Sequence, residues 1–246
     1  KDYEKIQKEQ SLSTGGIGLS FNVLPDSSGN KFLLSAGLHG SALKKNFSKL
    51  ESLMNNTIHG FRLDEIKRLE ELTQFEIAGK EKSITQSGHI LAMNGASAQI
   101  SKFGAVSEFV GGVSSIHNLK TLRDSNGKIK MEVLLESFSK LKSFINPDSK
   151  IEVVISASNQ NFDKETTTKT GLETLDVLNG VDLQSEEIAW ITGSDVNFCA
   201  QAFPTVGYDH PDAPILTVLG AVLRNGFLHS AIREKGGAYG SGAQQD

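Results

Sequence analysis

Apolar and polar residues alternate near the start of the chain and then recur at helical spacing. Ile17, Leu19, Phe21 and Val23 alternate with Gly18, Ser20 and Asn22, which predicts a strand with one buried face. Residues 25–30, Pro-Asp-Ser-Ser-Gly-Asn, read as a turn, and residues 32–39 predict a second strand, so the pair reads as an antiparallel hairpin. Ser41 is placed to cap a helix in which Leu43, Phe47, Leu50 and Met54 recur on one face. Asp64 begins a second helix, with Ile66, Leu69 and Leu72 on one face and Glu65, Lys67, Arg68, Glu70 and Glu71 on a solvated one. Helix resumes over residues 87–99, where Gly88, Ala92, Gly95, Ala96 and Ala98 are small enough to let neighbours approach closely.

Gly111 and Gly112 break the chain, and residues 124–127, Asp-Ser-Asn-Gly, predict another turn. Leu134, Phe138, Leu141 and Ile145 form an apolar helical stripe stopped by Asn146-Pro147. Residues 151–155 read as a buried strand, and residues 158–187 are polar and threonine-rich. A domain boundary is expected there, with a first domain over 1–175, a linker over 176–186 and a second domain over 187–246. In the second part Val196, Phe198, Ala200 and Ala202 alternate as a strand. Asp209 or Asp212 is placed to cap a helix that tolerates Pro211 and Pro214 only in its first turn. Residues 215–223 are apolar nearly all round, so that helix is expected to be buried, with Asn225-Gly226 turning the chain after it. Hairpins followed by helical pairs argue an α+β fold, antiparallel sheets backed by helices on one face, without a strict internal repeat.

Composition narrows the partners. The 246 residues carry a net charge of −4 and a pI near 5.9, which favours neither nucleic acid nor an anionic membrane. The single cysteine, Cys199, excludes an internal disulfide framework and reads as a small apolar strand residue. No apolar run approaches the ~20 residues of a membrane span, and the charged stretch from Lys1 to Gln10 is not a signal peptide. Lys1 is not a start methionine, and the chain stops at Asp246 just after its densest cluster of chemistry, so it reads as a fragment.

That cluster is the stretch 228–242, LHSAIREKGGAYGSG, where charge, an aromatic hydroxyl and glycine crowd together. A short helix ending near Lys235 leaves Gly236 and Gly237 free to turn the chain, and Ala238 and Tyr239 then open a strand. Arg233 and Tyr239 thereby reach one point from two elements. A planar fork of donors and one O–H suit a substrate carboxylate, or a carbonyl oxygen that gains charge during reaction. Two plainer readings stand beside this one. The glycines could cradle phosphate, although they form neither G-x-G-x-x-G nor a P-loop. Arg233 could be a helix-end charge beside Glu234 and Lys235, and Tyr239 a half-buried strand residue. The six histidines, at 39, 59, 89, 117, 210 and 229, contain no pair at helical metal-ligand spacing, so no metal site is expected in the chain. His210 reads as a helix-entry residue and His229 as a partly buried one. No G-x-S-x-G elbow supports Ser/His/Asp catalysis.

The run DAPILTVLGAVL from Asp212, followed by GFLHSAIREKGGAYG from Gly226, resembles the fourth domain of pitrilysin/insulinase-family zinc metallopeptidases, most of all their presequence-protease (falcilysin-like) branch. Thr14-Gly15-Gly16-Ile17 and Ser87-Gly88-His89 resemble the third domain of that branch. The resemblance implies LuxS/insulinase-like α+β domains, here a third domain and the truncated start of a fourth. It implies zinc held by the N-terminal half of the same protein, not by this chain, with the two halves closing around a chamber. It implies zinc-activated water attacking a peptide carbonyl with a glutamate as base. In that scheme Tyr239 donates to the forming oxyanion, Arg233 holds a substrate carbonyl or orients Tyr239, and Gly236 and Gly237 let the backbone turn close to substrate. The partners implied are a short unstructured peptide, such as a cleaved targeting sequence, and the N-terminal half, without which the fragment is expected to be inactive. The compartment implied is a mitochondrion, another organelle or a bacterial cytoplasm. A non-catalytic scaffold or partner half is the alternative, and an unrelated globular binding module ranks last.

Overall fold

The computed structural model describes residues 3–25, 32–60, 62–144, 183, 187–207 and 209–245. Helix α1 (Tyr3–Ser13) leads into an antiparallel hairpin of β1 (Ile17–Pro25) and β2 (Phe32–Gly40), paired from Ile17 opposite Gly40 to Pro25 opposite Phe32. A 3-10 turn (Lys44–Asn46) opens α2 (Phe47–Gly60), and α3 (Ile66–Gln86), α4 (Gly88–Ser97), α5 (Lys102–Gly111), α6 (Val113–Lys120) and α7 (Met131–Phe144) follow. The fold is α+β, as the alternation of periods predicts. The predicted strand 151–155, the end of the Ile145 stripe and nearly all of the expected linker lie outside the described residues.

The sequence run Thr14-Gly15-Gly16-Ile17 is the joint between α1 and the hairpin. Thr14 Oγ1 donates to the Gln10 carbonyl at 2.9 Å and accepts from the Gly16 amide at 3.1 Å. Gly16 has φ +119, a conformation that side chains resist, and a Cβ on Gly15 would stand 2.6 Å from Ser41 Oγ. Ser41 does not cap a helix as expected; its carbonyl accepts from Gly15 N at 2.7 Å and its amide donates to the Gly16 carbonyl at 3.3 Å, closing the base of the hairpin. Asp64 likewise does not start α3. It is held by both guanidinium arms of Arg62, at 2.8 and 2.6 Å, and Glu65 stands at the cap position without a side-chain cap bond.

Phe32 is fully buried and stacks on Phe103 of α5 with ring centroids 6.3 Å apart, which pins the hairpin to the helices. Leu50 and Leu53 bury the inner face of α2, as the predicted stripe requires. The predicted apolar face of β1 is not covered, however: Leu19 is 57% and Phe21 65% exposed. The alternation sets which side chains share a face, but only a packed neighbour decides whether that face is buried.

The main core joins α3, α6 and α7. Ile77, Ile129 and Leu134 are buried together, with Leu119, Leu122, Met131 and Phe138 around them. Each such side chain contributes on the order of 1.5–3 kcal/mol. The predicted turn at 124–127 holds this corner: Asp124 Oδ1 accepts from the amides of Asn126 and Lys128, and Gly127 has φ +77. Arg123 beside it donates to Gln74 and pairs with Glu81, tying the turn back to α3. Gly112 breaks the chain between α5 and α6 as expected. There the buried Glu108 reaches across the break, and its Oε1 accepts from the Ser114 amide at 2.9 Å in the first turn of α6.

Glycines on α4 do more than admit a neighbouring helix. Gly88 and Gly95 are buried roughly two turns apart, and a Cβ on either would overlap an aromatic ring, that of Phe198 on Gly88 and that of Trp190 on Gly95. The His89 ring lies 6.4 Å from Phe198. The Ser87-Gly88-His89 run is thus the break between α3 and α4 and the seat of Phe198.

Residues 196–202 depart from their reading. Phe198, Ala200 and Ala202 are half-buried and Asn197, Cys199 and Gln201 exposed, so the period of two is real, but no strand is formed there among the described residues. A ladder needs a partner strand, which alternation alone does not supply. Cys199 is accordingly an exposed thiol and not an inward apolar residue.

Candidate functional site

Helix α8 (Ala213–Leu223) begins as its sequence suggests, with Asp212 at the N-cap and proline in the first turn. The Asp212 carboxylate makes no cap bond; instead the Asp212 amide donates to His210 Nδ1 at 3.1 Å, so His210 is the helix-entry residue. The helix was expected to be buried and is not. Only Ala213 and Gly220 are buried, while Ile215 (65%), Val218 (63%) and Val222 (61%) face outward. The covered face is the small one, where the C-terminal segment returns: a Cβ on Gly220 would meet the Ala243 carbonyl oxygen at 3.1 Å.

Asn225-Gly226 does not turn the chain. The helix continues through it as a π-helical segment, Arg224–Glu234, in which Asn225 Nδ2 donates to the Ala221 carbonyl at 3.0 Å. As a result the helical run Ala213–Glu234 is long and apolar enough, by length and composition, to cross a membrane, which the reading in separate apolar runs excluded.

The end of this segment carries the predicted site. The Lys235 amide donates to Ser230 O at 3.1 Å, Gly237 N to Arg233 O at 3.1 Å and Ala238 N to Ile232 O at 3.2 Å. This is a Schellman-like close, widened by one residue as the preceding π turn requires. Gly237 has φ +71, and a Cβ on Gly236 would stand 2.6 Å from the Ile232 carbonyl oxygen. Both glycines are therefore required by the turn, as the sequence suggested. The strand expected to open at Ala238 does not form among the described residues, since nothing there pairs with it.

Arg233 and Tyr239 emerge on either side of this turn, and both side chains point to solvent, with Tyr239 88% exposed. His229 Nδ1 lies 3.5 Å from Glu234 Oε1, which draws that carboxylate toward the half-buried histidine and away from Arg233. The plainer reading of Tyr239 as a half-buried strand residue is thus set aside. An exposed guanidinium and an exposed phenol beside a fixed turn can donate hydrogen bonds to an oxygen brought to them. Among the described residues no three His, Cys, Asp or Glu side chains gather as a metal site, so these residues do not fit a zinc ion.

Residues 1–122 match the family model for the region associated with peptidases of metallopeptidase family 16, subgroup C. Nearly the whole chain is similar to presequence proteases. It is 28% identical over 251 residues to the mitochondrial presequence protease of Drosophila melanogaster, covering 99% of this chain and 24% of that protein. It is 28% identical over 243 residues to the mitochondrial presequence protease of Schizosaccharomyces pombe, covering 93% and 24%. It is also 26% identical over 260 residues to "Protein HypA" of Clostridium perfringens, covering 97% and 25%. An α+β chain carrying exposed arginine and tyrosine donors on a glycine turn thus stands among peptidase regions. The chain belongs to the pitrilysin-family presequence proteases, as a C-terminal region of that kind. It spans about a quarter of the length of the curated relatives it matches.

Sequence reasoning missed Trp190 as a packing residue, Phe198 as its companion and Glu108 as the cap of α6. The legible signal for the first two was the spacing of Gly88 and Gly95, which places two bare patches on one face of a helix. Glu108 gave none, being one acidic residue on an otherwise apolar helix.

Proposed function

We propose that the whole protein is a zinc metalloendopeptidase that degrades short unstructured peptides, such as cleaved targeting sequences, and that this chain lines the peptide site with Arg233 and Tyr239. The observation that carries this reading is the pair of exposed donors fixed on either side of the Gly236-Gly237 turn, in a chain homologous to presequence proteases over nearly its full length. In this reading the chain comprises most of one α+β domain up to about residue 175 and the start of another from about residue 187. Zinc is held by the rest of the protein and supplies the Lewis acid when bound.

The chain's own part is donation. The Tyr239 O–H donates to the substrate carbonyl oxygen as that oxygen gains negative charge, an interaction stronger in the transition state than in the ground state. The Arg233 guanidinium holds a neighbouring carbonyl of the peptide through its planar fork and so fixes the register of the scissile bond. Gly236 and Gly237 keep side chains away from the path of the peptide backbone. Without the rest of the protein the chain has donors and no hydrolytic centre, so it is inactive alone.

The test is peptide hydrolysis by the full-length protein and its Tyr239→Phe variant. Loss of about 10²–10³ in kcat with little change in KM supports a transition-state donor. An unchanged kcat removes Tyr239 from the reaction, and a full-length protein that binds peptides but never cleaves them supports the scaffold alternative.

A further inference from the structure

We propose that Trp190 and Phe198, seated on the bare glycine backbone of α4, are positioning residues that fix where the Arg233–Tyr239 turn stands relative to the helical core. Their effect on catalysis rests on the functional reading above; the mechanical claim does not.

The contacts form an unbroken path. Trp190 covers Gly95 and Phe198 covers Gly88, two points on one helix, so the segment 190–198 is held in both place and direction. A single contact would leave that segment free to pivot. Phe198, Ala200 and Ala202 continue inward-facing along the segment. The Thr205 hydroxyl and the Gln245 side chain then exchange hydrogen bonds at 2.9 and 3.1 Å, and Gln245 Nε2 donates to the Val206 carbonyl at 3.3 Å. From Gln245 the C-terminal segment runs back over the buried Gly220 of α8, which continues directly into the π segment and Arg233. Trp190 and Phe198 are the large side chains on this path that reach the core helices, and each occupies space that any side chain larger than hydrogen would take away.

The chemistry of the fit is specific. Aromatic rings bury large apolar area at low conformational cost, and a glycine lets a ring lie directly on the helix backbone. Placement matters because a shift of roughly 1 Å in a binding group costs on the order of 10²-fold in rate.

The test places spin labels at Glu76 and Lys235, both exposed, in the full-length protein and measures the distance between them. A single narrow distribution is expected for the parent. Gly95→Ala should displace or broaden it, because the new methyl overlaps the Trp190 ring, whereas adding Gly95→Ala to Trp190→Leu should change little further. That non-additivity separates a ring-on-glycine fit from a general loss of stability. In peptide hydrolysis, Gly95→Ala should lower kcat about tenfold to a hundredfold with KM little changed. A distance distribution unaltered by Gly95→Ala overturns the proposal. So does an altered distribution with unchanged kcat, which would make the contact structural only. A parent protein without peptidase activity defeats the functional reading, and the distance measurement still decides the mechanical one.

Discussion

The Ala238 amide donates to the Ile232 carbonyl at 3.2 Å, closing the end of a π-helical segment across Gly237. This one bond sets the direction in which the chain leaves the helix, and with it the placement of Tyr239 relative to Arg233. Gly237→Ala forces a side chain into φ +71, a strain of roughly 1–2 kcal/mol. We expect that variant to bind peptide and turn it over slowly, with unfolding by denaturant showing a loss of about that size. Gly236→Ala should act by overlap with the Ile232 carbonyl and give a similar result.

Arg233→Lys tests whether a fork of donors is needed or only a charge. Lysine keeps the charge and loses the planar pair of N–H groups. A raised KM with smaller change in kcat is expected from steady-state kinetics of the full-length protein. An Arg233→Lys protein with parental KM would show that Arg233 acts only through its charge.

The junction of α5 and α6 offers a prediction about stability alone. Glu108 Oε1 caps α6 through the Ser114 amide, while its buried Oε2 has no hydrogen-bond partner among the described residues and lies against Gly112. Glu108→Ala should cost about 1–2 kcal/mol, the size of a lost cap. Glu108→Gln keeps the accepting oxygen and should stay within about 1 kcal/mol of the parent. Gly112→Ala should destabilise strongly with Glu108 present and weakly in a Glu108→Ala background, because the carboxylate is what the methyl would strike. Chemical denaturation of these variants and the parent measures this directly.

The Arg62 guanidinium holds the Asp64 carboxyl below its ordinary value of 3.8 through side-chain hydrogen bonds. A depressed folded-state value means the pair contributes above the unfolded value and is lost as pH falls through the folded one. The whole effect therefore lies below about pH 4. Both groups are exposed, so Asp64→Asn should leave stability at neutral pH nearly unchanged and flatten only its acid limb, followed by denaturation across pH.

Local rules in the sequence settled much of this protein. Alternation gave the hairpin, helical spacing gave α2, α3 and α7, and Asp124 with Gly127 gave their turn, because each depends on residues close in the chain. The same holds for Gly236 and Gly237, whose requirement for a turn after Arg233 is written in a short stretch. Tertiary structure decided what each element meets. Leu19 and Phe21 alternate as a buried face should, yet stand exposed, and α8 is apolar nearly all round yet covered only along Ala213 and Gly220. The segment 196–202 keeps the period of a strand without a ladder, because hydrogen-bond partners come from elsewhere in the chain. Asn225-Gly226 carries turn signals and is helical, since the helix continued on both sides outweighs a local preference. Nor could spacing alone have paired Gly95 with Trp190. A bare glycine marks where something approaches, and only the packed chain decides what fills the space.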